Sequence, residues 1–404
     1  MKIVFCSNYM NHHQLYLSRA LAALPDTDYT FIASEPMEGE RLQGGWQDMN
    51  TAAPWIVRAY ESKVQFRKAM KLIGEADLVV AGSCPMKWLR LRVLRNKPVF
   101  LYSERWFKTG DGDIRPYRDL HHFLSNLLHR KYFNFFKVYM LCASAYTAYD
   151  CSIYHNFKGK CFKWGYFPET VKYDVDQLLA GKSQKGKVKI LWAGRFLDWK
   201  HPEIAVKISE RLKNDGFAFQ LDMIGSGPMQ DSVAEMAEKA GLNGYVFLHG
   251  AMHPEQVRQY MENADIFLFT SDFNEGWGAV LNEAMNSACA VVACHAIGSV
   301  PFLVDDGVNG FIYNYKDTDE MYGIVKRLVN DGALRKKIGQ AAYDTIAEEW
   351  NADVAAKRLR MLYERLIEKK DIKIEHGICS EAKILQNFWR KSPKDDGREP
   401  ERPQ

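Results

Sequence analysis

The chain has 404 residues, enough for two domains, with 47% hydrophobic and 26% charged residues, 28 glycines and 14 prolines. This ordinary globular composition excludes a disordered or collagen-like chain. The net charge is +4, and no run approaches the roughly 20 apolar residues of a membrane-spanning helix. Met1-Lys2-Ile3-Val4-Phe5 enters a strand directly, without a basic segment leading into an apolar one, so no secretion signal is expected. Eight cysteines are scattered with no C-x-x-C pair. They read as reduced, buried thiols of a cytosolic protein, with neither a zinc site nor a disulfide framework.

In chain order, short apolar runs alternate with amphipathic helical periods. Strands are predicted at 2–6, 29–33, 77–81, 98–102 and 138–142. Helices are predicted at about 12–24, 61–74, 86–95 and 117–133. Residues 172–187 are polar and glycine-containing and read as a linker. A second alternation follows, with strands at about 188–193, 218–224, 245–248, 266–270, 290–293 and 311–313. Its helices fall at about 201–214, 229–240, 254–262, 279–287 and 318–329, with two more at 331–348 and 352–370. Such alternation means parallel βαβ units. Residues 371–404 turn polar, and the end is expected to be disordered. The expected architecture is α/β, with two doubly wound, Rossmann-like domains at 1–171 and 188–350 facing a cleft. Ligands bind at the carboxyl ends of such strands.

The charge is uneven. Residues 1–185 carry an excess of +9 and the remainder −5. Residues 86–137 hold 12 basic and 4 acidic groups, interleaved with Trp88, Leu91, Leu94, Trp106, Phe123, Phe135 and other large apolar residues. Two readings fit: a surface helix on anionic lipid, or core helices with a solvated basic face. No nucleic-acid-binding motif is present, so nucleic acid is not expected as a partner.

Four segments carry candidate chemistry. The first, Ser271 to Ser287, holds Glu275, Gly276, Trp277, Gly278 and Glu283 after an apolar strand. Its glycines permit a tight turn and close approach of a ligand to the backbone. A helix beginning near Ala279 offers free N–H groups and a positive dipole end to a diphosphate. Two carboxylates flanking a phosphate would repel it, but they suit sugar hydroxyls on either side of it. The second segment, Ile190 to His201, places Gly194, Arg195 and Lys200 in a strand-to-helix loop, where both cations could face a diphosphate. The third is Gly225-Ser226-Gly227, a weak signal alone. The fourth begins Gly298-Ser299-Val300.

Taken in order, these segments resemble glycosyltransferase family 4, the retaining enzymes of the GT-B fold. The likeness is strong over about 188–350 and rests on Glu275-x7-Glu283 and Gly194-Arg195-x4-Lys200. The resemblance implies a sugar nucleotide held mainly by the C-terminal domain. Arg195 and Lys200 would neutralise the diphosphate leaving group, Glu275 would contact the donor sugar, and Glu283 would hold the ribose. Gly194, Gly225, Gly276, Trp277, Gly278 and Ala279, Val280 and Leu281 would complete the donor side. It also implies transfer with retention and without metal or other cofactor, and a final helix at 351–370 that crosses back to the first domain.

The N-terminal half matches only in rhythm, as suits an acceptor domain. It lacks the glycine pair many relatives carry after strand one. Asn11, His12 and His13 stand there instead, as acceptor-side or helix-start candidates. Glu104 is either a polar group facing the sugar or half of an ion pair with Arg105 or Arg115. Asp111-Gly112-Asp113 reads as a turn rather than a metal site. The expected activity is sugar transfer from a nucleotide donor to a saccharide or lipid-linked acceptor in cell-surface polysaccharide synthesis. The protein would be peripheral on the cytoplasmic membrane face. A nucleotide-sugar epimerase and a non-catalytic nucleotide-sugar binder stay open as alternatives.

Overall fold

The computed structural model describes residues 1–37, 48–113, 133–182 and 186–390. They form two compact units. The first holds Met1–Phe107, Ile114–Lys172 and Ile346–Leu385; the second holds Lys108–Asp113, Tyr173–Thr345 and Gln386–Gln404. The helix expected at 117–133 lies outside the described residues.

In the first unit one parallel sheet runs β1 (Lys2–Ser7), β2 (Asp28–Ala33), β3 (Ile56–Arg58), β4 (Leu78–Ala81), β5 (Val99–Ser103), β6 (Val138–Cys142) and β7 (Cys161–Lys163). Its spatial order is 3-2-1-4-5-6-7. Both faces are covered, so β4 and β6 are buried at every residue and read as continuous apolar runs. The helices are α1 (His12–Ala22), α2 (Lys63–Glu75), α3 (Met86–Leu94) and α4 (Thr147–Ile153). The pattern missed β3, β7 and α4, each too short to show a period.

Helix α3 divides the basic stretch between the two readings. Leu91 and Leu94 are exposed beside Arg90 and Arg95, whereas Arg92 is 2% exposed. Its guanidinium donates to the carbonyls of Pro98, Ile73, Ala76 and Asp77 at 2.7–2.9 Å. Arg92 is therefore a core strut that ties α3 to the end of α2.

The second unit begins with α5 (Val175–Gly181), inside the segment read as a linker. Lys182 pins it there. Its ammonium is buried and donates to the carbonyls of Met261, Ala264 and Ser287 at 3.2, 2.6 and 2.7 Å. A polar composition concealed this, because a lysine is almost never fully buried without partners.

Six parallel strands follow: β8 (Val188–Ala193), β9 (Phe219–Ile224), β10 (Val246–Leu248), β11 (Ile266–Phe269), β12 (Ala290–Cys294) and β13 (Phe311–Tyr313), in spatial order 10-9-8-11-12-13. The intervening helices are α6 (Pro202–Asn214), α7 (Gln230–Lys239), α8 (Pro254–Asn263), α9 (Val280–Asn286), α10 (Val300–Leu303), α11 (Thr318–Asn330) and α12 (Gly332–Asp344).

The chain then returns to the first unit as α13 (Ala352–Leu366), which packs on α1. The next residues are not a loose polar tail. Cys379 N–H and Ala382 N–H donate to the carbonyls of Lys163 and Cys161, and Lys163 N–H donates to Ser380. This antiparallel pairing covers the open edge of β7, the edge a sheet must otherwise protect. Residues 387–390 belong to the second unit. Phe388 meets Phe273 edge-on at 5.4 Å, and Arg390 pairs with Asp306 at 3.0 Å and with Glu320. The end expected to be disordered, 391–404, lies outside the described residues.

All eight cysteines are free, seven of them buried. Among the described residues no helix is long and apolar enough to cross a membrane.

Candidate functional site

Sheet order brings the site together. In the second unit the strand sequence reverses direction between β8 and β11, which are neighbours. This is the switch point at which such sheets bind ligands. The loop after β8 carries Gly194, Arg195 and Lys200; the loop after β11 carries Glu275 to Gly278. Two hydrogen bonds tie the loops: Thr270 Oγ1 donates to the Lys200 carbonyl at 2.6 Å, and Asp272 N–H donates to the Trp199 carbonyl at 3.0 Å. Trp192 Nε1 anchors Thr270 Oγ1 from β8 at 2.9 Å.

Glu275 and Lys200 form an ion pair through Oε2, with side chains only 11% and 14% exposed. Ser271 Oγ donates to the same oxygen at 3.0 Å. Among the described residues Oε1 accepts from no group, so one carboxylate oxygen stays open. Arg195 is exposed and forms no ion pair among the described residues. One predicted cation is thus paired and one is available.

The glycines are required by close approach. Gly225 has φ +137°, and a Cβ there would meet the Gly194 carbonyl oxygen at 1.8 Å. Gly278 has φ +83°, and a Cβ there would meet the Phe269 ring at 2.3 Å. Trp277 and Leu281 are fully buried, and Trp277 Nε1 donates to Asn282 at 2.9 Å. Their side chains pack, so only their backbone is available to a ligand. Ala279 and Val280 lead into α9, and Glu283 lies in its first turn. Gly276 is buried in the turn, and Gly298 N–H donates to the Glu275 carbonyl at 3.3 Å.

The first-unit candidates separate by role. Asn11 caps α1, its side chain accepting from the His13 and Gln14 amides. His12 and His13 are half-buried, and His13 stacks on Tyr166 at 5.1 Å. Tyr166 Oη donates to Glu104. Arg105 is buried against Asp150 at 3.5 Å. Burial raises the Asp150 carboxyl to about 6 against the pull of Arg105 and the Phe107 and Trp106 amides. That pair fixes the loop after β5 on which Glu104 sits. Arg115 lies outside the described residues.

Sequence reading quoted Ser271, Asp272 and His201 without giving them roles, and it missed Tyr166. Asp111-Gly112-Asp113 is a turn, with the Asp113 amide donating to Asp111 Oδ1 at 3.0 Å. Gly112 and the preceding Gly110 lie close to the Glu275 loop: a Cβ on Gly110 would meet Asp272 Oδ2 at 2.7 Å, and one on Gly112 the Phe273 ring at 2.8 Å.

Residues 179–345 match the family described as Glycosyl transferases group 1. The amylovoran biosynthesis glycosyltransferase AmsK of Erwinia amylovora is 28% identical over 184 residues, 44% of this chain and 45% of that one. The matched region thus spans less than half of that relative. Among solved structures, Anabaena Alr3699/HepE in complex with UDP superposes with a TM-score of 0.63 at 16% identity, over 91% of this chain and 100% of that one. The lipopolysaccharide outer core galactosyltransferase WaaB gives 0.62 at 17%, over 92% and 100%. The chain has the GT-B fold, and its segment 179–345 is similar to the family described as Glycosyl transferases group 1.

Proposed function

We propose that the protein is a retaining, metal-independent glycosyltransferase that moves a sugar from a nucleoside-diphosphate donor to a saccharide on a lipid carrier. The observation that carries this reading is the Lys200–Glu275 pair beside the exposed Arg195, at the adjoining carboxyl ends of β8 and β11. Arg195 and Lys200 take the diphosphate, and charge developing on it as the sugar leaves is stabilised by groups already in place. Oε1 of Glu275 faces the donor sugar, and Glu283 holds the ribose hydroxyls. The departing phosphate takes the proton of the acceptor hydroxyl. Glu104, oriented by Tyr166, serves the acceptor side with His12 and His13.

Thermal unfolding with UDP, GDP, ADP and CMP tests the nucleotide half of this reading. A ligand at about a hundred times its dissociation constant stabilises by about 2.7 kcal/mol, a shift of several degrees. One nucleotide shifts the midpoint, and Arg195→Ala and Lys200→Ala each abolish the shift. No shift with any nucleotide overturns the reading.

The lipid half rests on charge. Helix α3 exposes Met86, Leu91 and Leu94 among Lys87, Arg90 and Arg95. Helix α2 beside it exposes Val64 and Phe66 among Lys63, Arg67 and Lys68, and Phe66 meets Trp88 at 5.4 Å. No acidic residue occurs from 78 to 103. A basic rim around apolar groups suits the cytoplasmic face of an anionic membrane. AmsK is named for amylovoran biosynthesis and WaaB for the lipopolysaccharide outer core. Reversing Lys87, Arg90 and Arg95 to glutamate releases the protein from vesicles containing anionic lipid in co-sedimentation; unchanged binding removes the membrane from the proposal.

A further inference from the structure

His201 follows Lys200 directly and has no part in the cation clamp. Its backbone is left-handed, at φ 50° and ψ 51°, between the turn Asp198–Lys200 and α6. A residue with a Cβ seldom adopts this conformation. The turn places Nδ1 3.2 Å from Glu203 Oε1 and Nε2 3.4 Å from Asp272 Oδ2. Glu203 belongs to the first turn of α6. Asp272 opens the loop that carries Glu275: its Oδ1 accepts from the Asn274 amide at 2.8 Å, and its carbonyl accepts from the Glu275 amide at 3.1 Å.

Only a protonated ring can donate to Glu203 and present a positive edge to Asp272 at ion-pair distance; the neutral ring turns a lone pair toward one of them. Burial pulls the imidazole down, but the hydrogen bonds and charges of Asp272 and Glu203 outweigh it and raise it from 6.5 to about 9. Lys200 neighbours it along the chain. The Tyr315 ring lies 6.1 Å away, and burial, Asp272, Cys294, Asp111 and Glu203 push that hydroxyl up to about 12, so it is neutral here. Lys316 Nζ sits 4.9 Å from the centroid of the Tyr315 ring.

We propose that His201 is a positioning residue, a latch between α6 and the Asp272–Glu275 loop that keeps Glu275 in register with Lys200. Its effect on turnover rests on the transferase reading above; the latch itself is tested without substrate. The folded group titrates above the unfolded one. The latch therefore contributes fully below about pH 6.5 and is lost as pH rises through about 9.

The experiment follows ring resonances of histidine-labelled protein and amide exchange over 270–278, in wild type and His201→Gln. One ring signal titrates near 9 and is missing from the variant. At pH 7 the variant's loop exchanges about fivefold faster than wild type, and the difference vanishes once the pH passes 9. A His201 signal titrating near 6.5, or equal loop exchange at pH 7, overturns the latch. Should His201→Gln fail to fold, wild type alone decides: protection of 270–278 relative to β9 falls between pH 8 and 10, and constant protection overturns the proposal. A chain that latches in this way yet turns over no sugar nucleotide counts against the transferase reading alone.

Discussion

On the proposed function, Glu275→Ala yields a folded protein that has lost sugar transfer, with kcat lower by about 10²–10³-fold. The carboxylate is held through one oxygen by Lys200 and Ser271, while the other stays open at the end of the sheet. A group fixed in this way stabilises positive charge on a departing sugar without reorganising as the charge develops. Truncation removes that charge and frees Lys200. The freed ammonium remains partly in contact with water, so the fold tolerates the change and the thermal midpoint stays within a few degrees. Glu275→Gln separates charge from hydrogen bonding: it keeps the shape and falls as far as alanine if charge is what matters. Initial rates on the sugar nucleotide selected by thermal shift measure both variants. Unchanged turnover in Glu275→Ala would falsify the assignment of this loop.

Arg92→Ala costs about 3–5 kcal/mol of stability in the first unit. The side chain is buried, and its loss strips hydrogen bonds from four carbonyls at once. Water cannot readily replace them, because Ile73 and Ala76 are themselves buried. Burial draws the guanidinium down to about 10, against the Tyr363 and Asp77 charges, and it stays protonated at neutral pH. Arg90→Ala, two residues away and exposed, stays within about 0.5 kcal/mol of wild type. Urea unfolding of the two variants makes the comparison, and equal midpoints would remove Arg92 from the core.

These two arginines show where sequence reading stops. Arg90 and Arg92 stand in the same basic, apolar run, and nothing in their spacing says which one enters the core. That depends on where the end of α2 lies, which is a tertiary fact. The segment 172–187 reads as a linker for the same reason: the three carbonyl partners of Lys182 come from residues about 80 to 105 positions away. The longer strands were legible because burial on both faces writes an unbroken apolar run. The glycines and the pairs Arg195–Lys200 and Glu275–Glu283 were legible as candidates because each pair falls within one strand-to-helix segment. Ser271 and His201 were not. Ser271 reaches Glu275 four residues along its own loop, whereas His201 meets Asp272 only once β8 and β11 lie side by side.

The return of the chain at residue 346 bears on how the molecule is made. The core around α1 is finished by α13, and the second unit is finished by Phe388 and Arg390. During synthesis from the amino end, both units wait for residues 346–390 to leave the ribosome. A nascent chain halted at residue 345 holds two unfinished cores rather than one complete domain and one pending. A frameshift before residue 346 therefore leaves both units incomplete together.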